Sequence, residues 1–95
     1  MEILNKPNEN GGTFVLEKEG RKLAMLQYSL HNPQLMVIEH TEVSDELRGQ
    51  HIGQKLVAAA VAYAIEKQIK IRPVCPFANA IMNKNQEFQA LISTT

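Results

Sequence analysis

The chain has 95 residues, 44% of them hydrophobic and 21% charged, and ten basic residues offset ten acidic ones for a formal net charge of zero. That length supports one core and therefore a single domain over residues 1–95, while the balanced charge lacks the basic excess on which phosphate-driven nucleic-acid binding rests. One cysteine, Cys75, excludes an intramolecular disulfide; no segment approaches the roughly 18 apolar residues of a bilayer span, and "MEILNKPNENGG" has neither the basic start nor the apolar run of a secretion signal, so a cytoplasmic protein away from membranes is expected.

Gly11-Gly12 and Glu19-Gly20 bracket "TFVLEK", and residues 13–31 read as two strands joined by a turn at Gly20. In the second strand Ala24, Leu26, Tyr28 and Leu30 share one face, with Leu23, Met25, Gln27 and Ser29 on the other. Asn32-Pro33 ends it, because proline restricts its predecessor and cannot donate to a ladder. A third strand covers 35–43, with Leu35, Val37, Glu39, Thr41 and Val43 on one side and Met36, Ile38, His40 and Glu42 on the other. Apolar residues on both faces suit a central strand.

From Ile52 the apolar period becomes helical through Leu56, Ala59, Ala60 and Tyr63, which predicts a helix over about 51–67. "IKIRPVC" is then a fourth strand over 69–75, with Ile69, Ile71, Pro73 and Cys75 in phase. "PFANAIMNKN" reads as a short helix with Pro76 near its first position, "QEFQALI" as a last helical turn or docking segment, and "STT" as a fraying end. Strand, helix and strand over 35–75 have the length of a crossover onto a parallel neighbour. The fold class is α/β (α+β), a mostly antiparallel sheet with one parallel junction.

The stretch "SDELRGQHIGQKLV" places two glycines where a strand gives way to a helix. A helix start leaves unpaired N–H groups and a partial positive charge, which together favour an anion. A Walker loop is excluded, since Gly49 and Gly53 enclose three residues and no Lys-Ser/Thr follows; a dinucleotide fingerprint is excluded for want of a third glycine. The residues alone leave two readings, an anion-binding loop or a tight turn with close helix–sheet packing.

The loop resembles motif A of the Gcn5-related N-acetyltransferases (GNAT), Q/R-x-x-G-x-G/A, with Arg48 in the first place, Gly53 in the last, and His51 where the middle glycine stands. "IEHTEVSDELRGQHIGQKLV", a helix and "IRPVCPFA" together resemble the small single-domain, YjdJ-like branch of that family over about residues 35–93. The resemblance implies a minimal acyl-CoA N-acyltransferase fold with acetyl-CoA, or coenzyme A, as cosubstrate and no metal. It implies that the pyrophosphate lies against Arg48, Gly49, Gln50, His51, Ile52, Gly53 and Gln54. It further implies that the two central strands splay apart and that the pantetheine arm bonds to the backbone of Thr41, Glu42 and Val43. Larger members carry two helices between their first strands, for which 13–43 leave no room, so the acceptor side is expected to be open.

Acetyl transfer to an amine needs a base for the acceptor and stabilisation of the departing thiolate. The resemblance assigns catalysis to Cys75, which precedes a helix start where a thiol pKa falls below its usual value of about 8.5; its phase with Ile69 and Ile71 equally suits a buried core thiol. His40 is the base candidate, or else a hydrogen-bonded sheet histidine, with Glu39 and Glu42 as weaker alternatives. Segment 76–92 contains no tyrosine to act as acid, which leaves Cys75 to donate the proton or take the acetyl group itself. Lys55 and Lys84 are within the compass of the phosphates or are plain surface residues. One cysteine and three scattered histidines give no zinc-ligand spacing. The expected activity is acetyl transfer to an amine or protein acceptor by a monomer or weak homodimer; the rival reading is a CoA or acyl-CoA binding module with little or no catalysis.

Overall fold

The apolar alternation of the first half and the helical period of the second build a five-stranded sheet backed by helices. The structure, a computed structural model, describes residues 2–93. The strands are β1 (Ile3–Asn8), β2 (Gly11–Lys18), β3 (Arg21–Asn32), β4 (Leu35–Val43) and β5 (Lys70–Pro73), hydrogen-bonded in that order. The first four form antiparallel pairs with no helix between them, and β5 runs parallel to β4 after a crossover through α1 (Ile52–Lys67). Two shorter helices follow, α2 (Pro76–Asn83) and α3 (Gln86–Gln89). This is the mixed, minimal architecture expected.

One sheet face, carrying Phe14, Leu16, Ala24, Leu26, Tyr28, Met36, Ile38 and Ile71, joins Leu56, Val57, Ala60, Ala64, Ala78 and Met82 of the helices in one buried cluster. Phe14, Tyr28 and Tyr63 stack within it at centroid distances of 5.3 to 6.1 Å. Strand β1 was not foreseen. "ILNKPN" is short and polar and contains a proline, the composition tolerated at a sheet edge. It is tied inward by the Tyr28 hydroxyl, which donates to Asn5 Oδ1 at 2.9 Å.

The faces expected for β4 require correction. Pairing with β3 matches Gln27 to His40 and then Tyr28 to Ile38, skipping Glu39. An unpaired residue of this kind is a β-bulge, which reverses the alternation beyond it. Thr41 and Val43, opposite Leu26 and Ala24, therefore share the helix-bearing face with Met36 and Ile38, while His40 and Glu42 go to the other face. The fourth strand is also shorter than the expected 69–75, because its ladder stops at Ile38 and Pro73.

The last segment docks on β5. Ile92 bridges Ile71, the Ile71 N–H donates to the Leu91 carbonyl, and the Ser93 N–H donates to that of Ile71. Of the segment expected to fray, Thr94 and Thr95 lie outside the described residues.

Leu56 is wholly buried where α1 crosses the sheet. Leu56→Ala is expected to lower unfolding stability by about 2–5 kcal/mol, read as a reduced urea midpoint with an unchanged slope.

Candidate active site

The site grows from the end of the β4–β5 ladder. The carbonyl of Ile38 accepts the N–H groups of both Val74 and Cys75 at 3.1 Å. Beyond that point β4 continues through five more residues with no partner in β5, so the two strands fork. Cys75 sits at the fork as the N-cap of α2, in extended conformation (φ −63°, ψ 123°). Pro76 opens the helix with its φ already set, and the Asn79 N–H closes the first turn on the Cys75 carbonyl.

Across the fork Thr41 Oγ1 lies 3.6 Å from Cys75 Sγ. The bulge at Glu39 is what brings Thr41 to this side. Cys75 is 8% exposed, and burial pushes its thiol up; the Ala78 main chain, the Thr41 hydroxyl and the Phe77 main chain outweigh burial and hold it below its ordinary value. No capping hydrogen bond of regular geometry forms from the sulfur, yet these groups favour its thiolate, as a helix start does for an anion.

The loop between β4 and α1 begins with a 3₁₀ turn, Asp45–Leu47, capped by Ser44. Gly49 follows in the left-handed region (φ +85°), where a side chain is strained. His51 also takes left-handed angles (φ 57°, ψ 33°) and starts α1 with no side-chain cap; histidine is among the non-glycine residues that enter this region most readily. The first turn of α1 is thereby left open. The N–H groups of Gly49, His51, Ile52, Gly53 and Gln54 donate to no group among the described residues, whereas that of Gln50 is taken by the Leu47 carbonyl at 3.2 Å.

Gly53 has another constraint. A Cβ built on it would lie 2.2 Å from Phe77 Cζ, so its smallness admits the Phe77 ring and lets α2 approach α1. A cleft of about 470 Å³ opens between these elements, lined by Val43, Arg48, Gly49, His51, Ile52, Gly53, Gln54 and Phe77 among others. Of the residues expected to hold a cofactor, these seven from Val43 to Gln54 line the cleft, while Thr41, Glu42 and Gln50 do not. The two expected catalytic groups are not brought together. His40 is turned to the opposite sheet face, where its Nε2 lies 3.0 Å from Glu42 Oε1. Sequence reasoning missed Phe77, since nothing in "PVCPF" tells which glycine the ring will cover.

Loop, fork and cleft together set unpaired N–H groups at one end and an unpaired strand edge with a thiol at the other. A model of the GCN5-related N-acetyl-transferase family matches residues 13–91. The chain belongs to that family. Among its relatives is protein NATD1 of Gallus gallus, 29% identical over 62 residues, which are 65% of this chain and 56% of that protein. The chain thus spans little more than half the length of such curated relatives. A GCN5-like protein from Staphylococcus aureus, solved in solution, superposes with a TM-score of 0.74 at 34% identity, covering 97% of this chain and 89% of its own. The fold is shared, at 16% identity and a TM-score of 0.58, by the aminoglycoside N-acetyltransferase AAC(6')-Iy in complex with CoA, over 93% of this chain and 71% of that one. These matches carry the family; the YjdJ-like branch rests on the loop and "PVCPF" resemblance alone.

Removing the Thr41 hydroxyl withdraws a donor from the Cys75 thiolate. Thr41→Val is expected to move the midpoint of the pH profile of iodoacetamide alkylation upward by roughly half to one unit, slowing alkylation at neutral pH.

Proposed function

We propose that the chain binds acetyl-CoA along the cleft and the fork and transfers the acetyl group to an amine by way of Cys75. The supporting observation is the alignment of three features in ligand order. Free N–H groups at the start of α1 suit the diphosphate, the unpaired end of β4 suits an extended amide-bearing arm, and Cys75 stands at the fork where that arm ends. Acetyl-CoA supplies an activated thioester.

Cys75 acts as the relay. Both tyrosines of the chain belong to the core, Tyr28 buried and Tyr63 packed on it, so neither serves the cleft as an acid. The Cys75 sulfur takes the acetyl group in a thioester exchange, and its proton goes to the departing CoA sulfur. The amine nitrogen of the acceptor then attacks the acetyl–Cys75 thioester; the amide C–N bond forms as the C–S bond breaks, and the departing Cys75 sulfur takes the amine proton, which restores the thiol. The groups that lower the Cys75 pKa favour it both as nucleophile and as leaving group. His40, paired with Glu42 on the opposite sheet face from Cys75, takes no part in this transfer. With no helix between β1 and β4, the acceptor side is open to a large or extended amine.

Incubation with radiolabelled acetyl-CoA tests the reading. Label is expected on Cys75, chased onto a polyamine or peptide amine, and lost in Cys75→Ala, which retains CoA binding. Binding of CoA with no label transferred would instead identify a binding module. Gly53→Pro removes one free N–H and drives a ring into Phe77; calorimetry is expected to show CoA affinity reduced by about tenfold or more, while proline remains acceptable in a first helical turn.

A further inference from the structure

A second cleft of about 520 Å³ continues from the first, sharing His51, Gln54, Ile81 and Lys84 with it and adding Lys55, Ala58, Asn85 and Phe88. It runs between the outer side of α1 and the α2–α3 corner. Its two walls each contribute an ammonium group, Lys55 from α1 and Lys84 from the end of α2. Neither lysine is in an ion pair or a side-chain hydrogen bond among the described residues, and no carboxylate lines either cleft. Of the acids nearest in sequence, Asp45 is engaged by Arg48 at 3.0 Å and Glu46 by Arg21 at 2.8 Å, while Glu87, three residues after Lys84 in the first turn of α3, does not line the cleft.

These cations exceed what a diphosphate at the loop requires, since that group is met by five free N–H donors and the helix start. Lys55 follows His51 by four residues, a little over one helical turn or roughly 6 Å along the axis. Lys55 thus lies about one turn beyond the loop donors, in the cleft that Val43 and Phe77, which line the first, do not reach. On coenzyme A the only anion left there is the 3′-phosphate, carried by the same ribose as the diphosphate. Phe88 and Ile81 give the adjoining wall an apolar surface suited to a purine.

We infer that Lys55 and Lys84 form a 3′-phosphate clamp that makes this chain selective for coenzyme A over 3′-dephospho-coenzyme A. This deepens the acetyl-CoA reading and rests on it. Two partly solvated ammonium–phosphate contacts each contribute less than one order of magnitude, so the expected preference is about tenfold, shrinking as salt is raised.

Calorimetry on the full chain with both ligands at fixed ionic strength tests it. The expected result is tighter binding of CoA, with the double variant Lys55→Gln/Lys84→Gln reducing CoA to the level of dephospho-CoA and leaving dephospho-CoA unaffected. A distant pair, Lys18→Gln/Lys67→Gln, removes equal charge and is expected to preserve the preference. Equal affinities in the unaltered chain, or a preference that survives in the double variant, overturn the clamp while leaving CoA binding intact. Binding of neither ligand overturns the acetyl-CoA reading and the clamp with it.

Discussion

A single carbonyl determines most of what this fold offers chemically. By accepting from both Val74 and Cys75, Ile38 ends the parallel ladder and fixes the backbone of Cys75 at the point of separation. Pro73 and Pro76 on either side limit the chain's choices there: the first ends the strand, and the second commits the next residues to helix. The fork is a property of the backbone, so the thiol at its apex is held by main-chain geometry and not by a mobile loop.

The β-bulge at Glu39 completes that arrangement. Without it Thr41 would share a face with Val37, away from Cys75, and the thiol would lose the hydroxyl that steadies its charged form. A bulge inserts one residue into a ladder, and nothing in the composition of "LMVIEHTEV" announces it. The strand's bounds were therefore legible while its faces were not. The same holds for β1, whose polar residues become a strand only because the edge of β2 is available to pair with them.

The helices were easier to read, because capping chemistry and apolar period are local. Residues 52–67 carry their own stripe, and Pro76 marks its own helix start. The loop was half legible. Its unpaired donors follow from the helix start and from backbone angles that Gly49 and His51 accept. The role of Gly53 follows from a ring 24 positions away in the chain, and only the packing of α2 on α1 discloses it. The placement of His40 was obscured by the same bulge that served Thr41.

The docking of residues 91–93 along β5 has a consequence for how copies of this molecule meet. One rim of the sheet is sealed by the chain's own tail, through the Ile71–Ile92 bridge. The opposite rim is β1, where Pro7 lacks an N–H and so breaks the row of donors, beside the charged Lys6. Open sheets are prone to runaway stacking through their margins, and here both margins are guarded, by self-pairing on one side and by an imino acid beside a charge on the other.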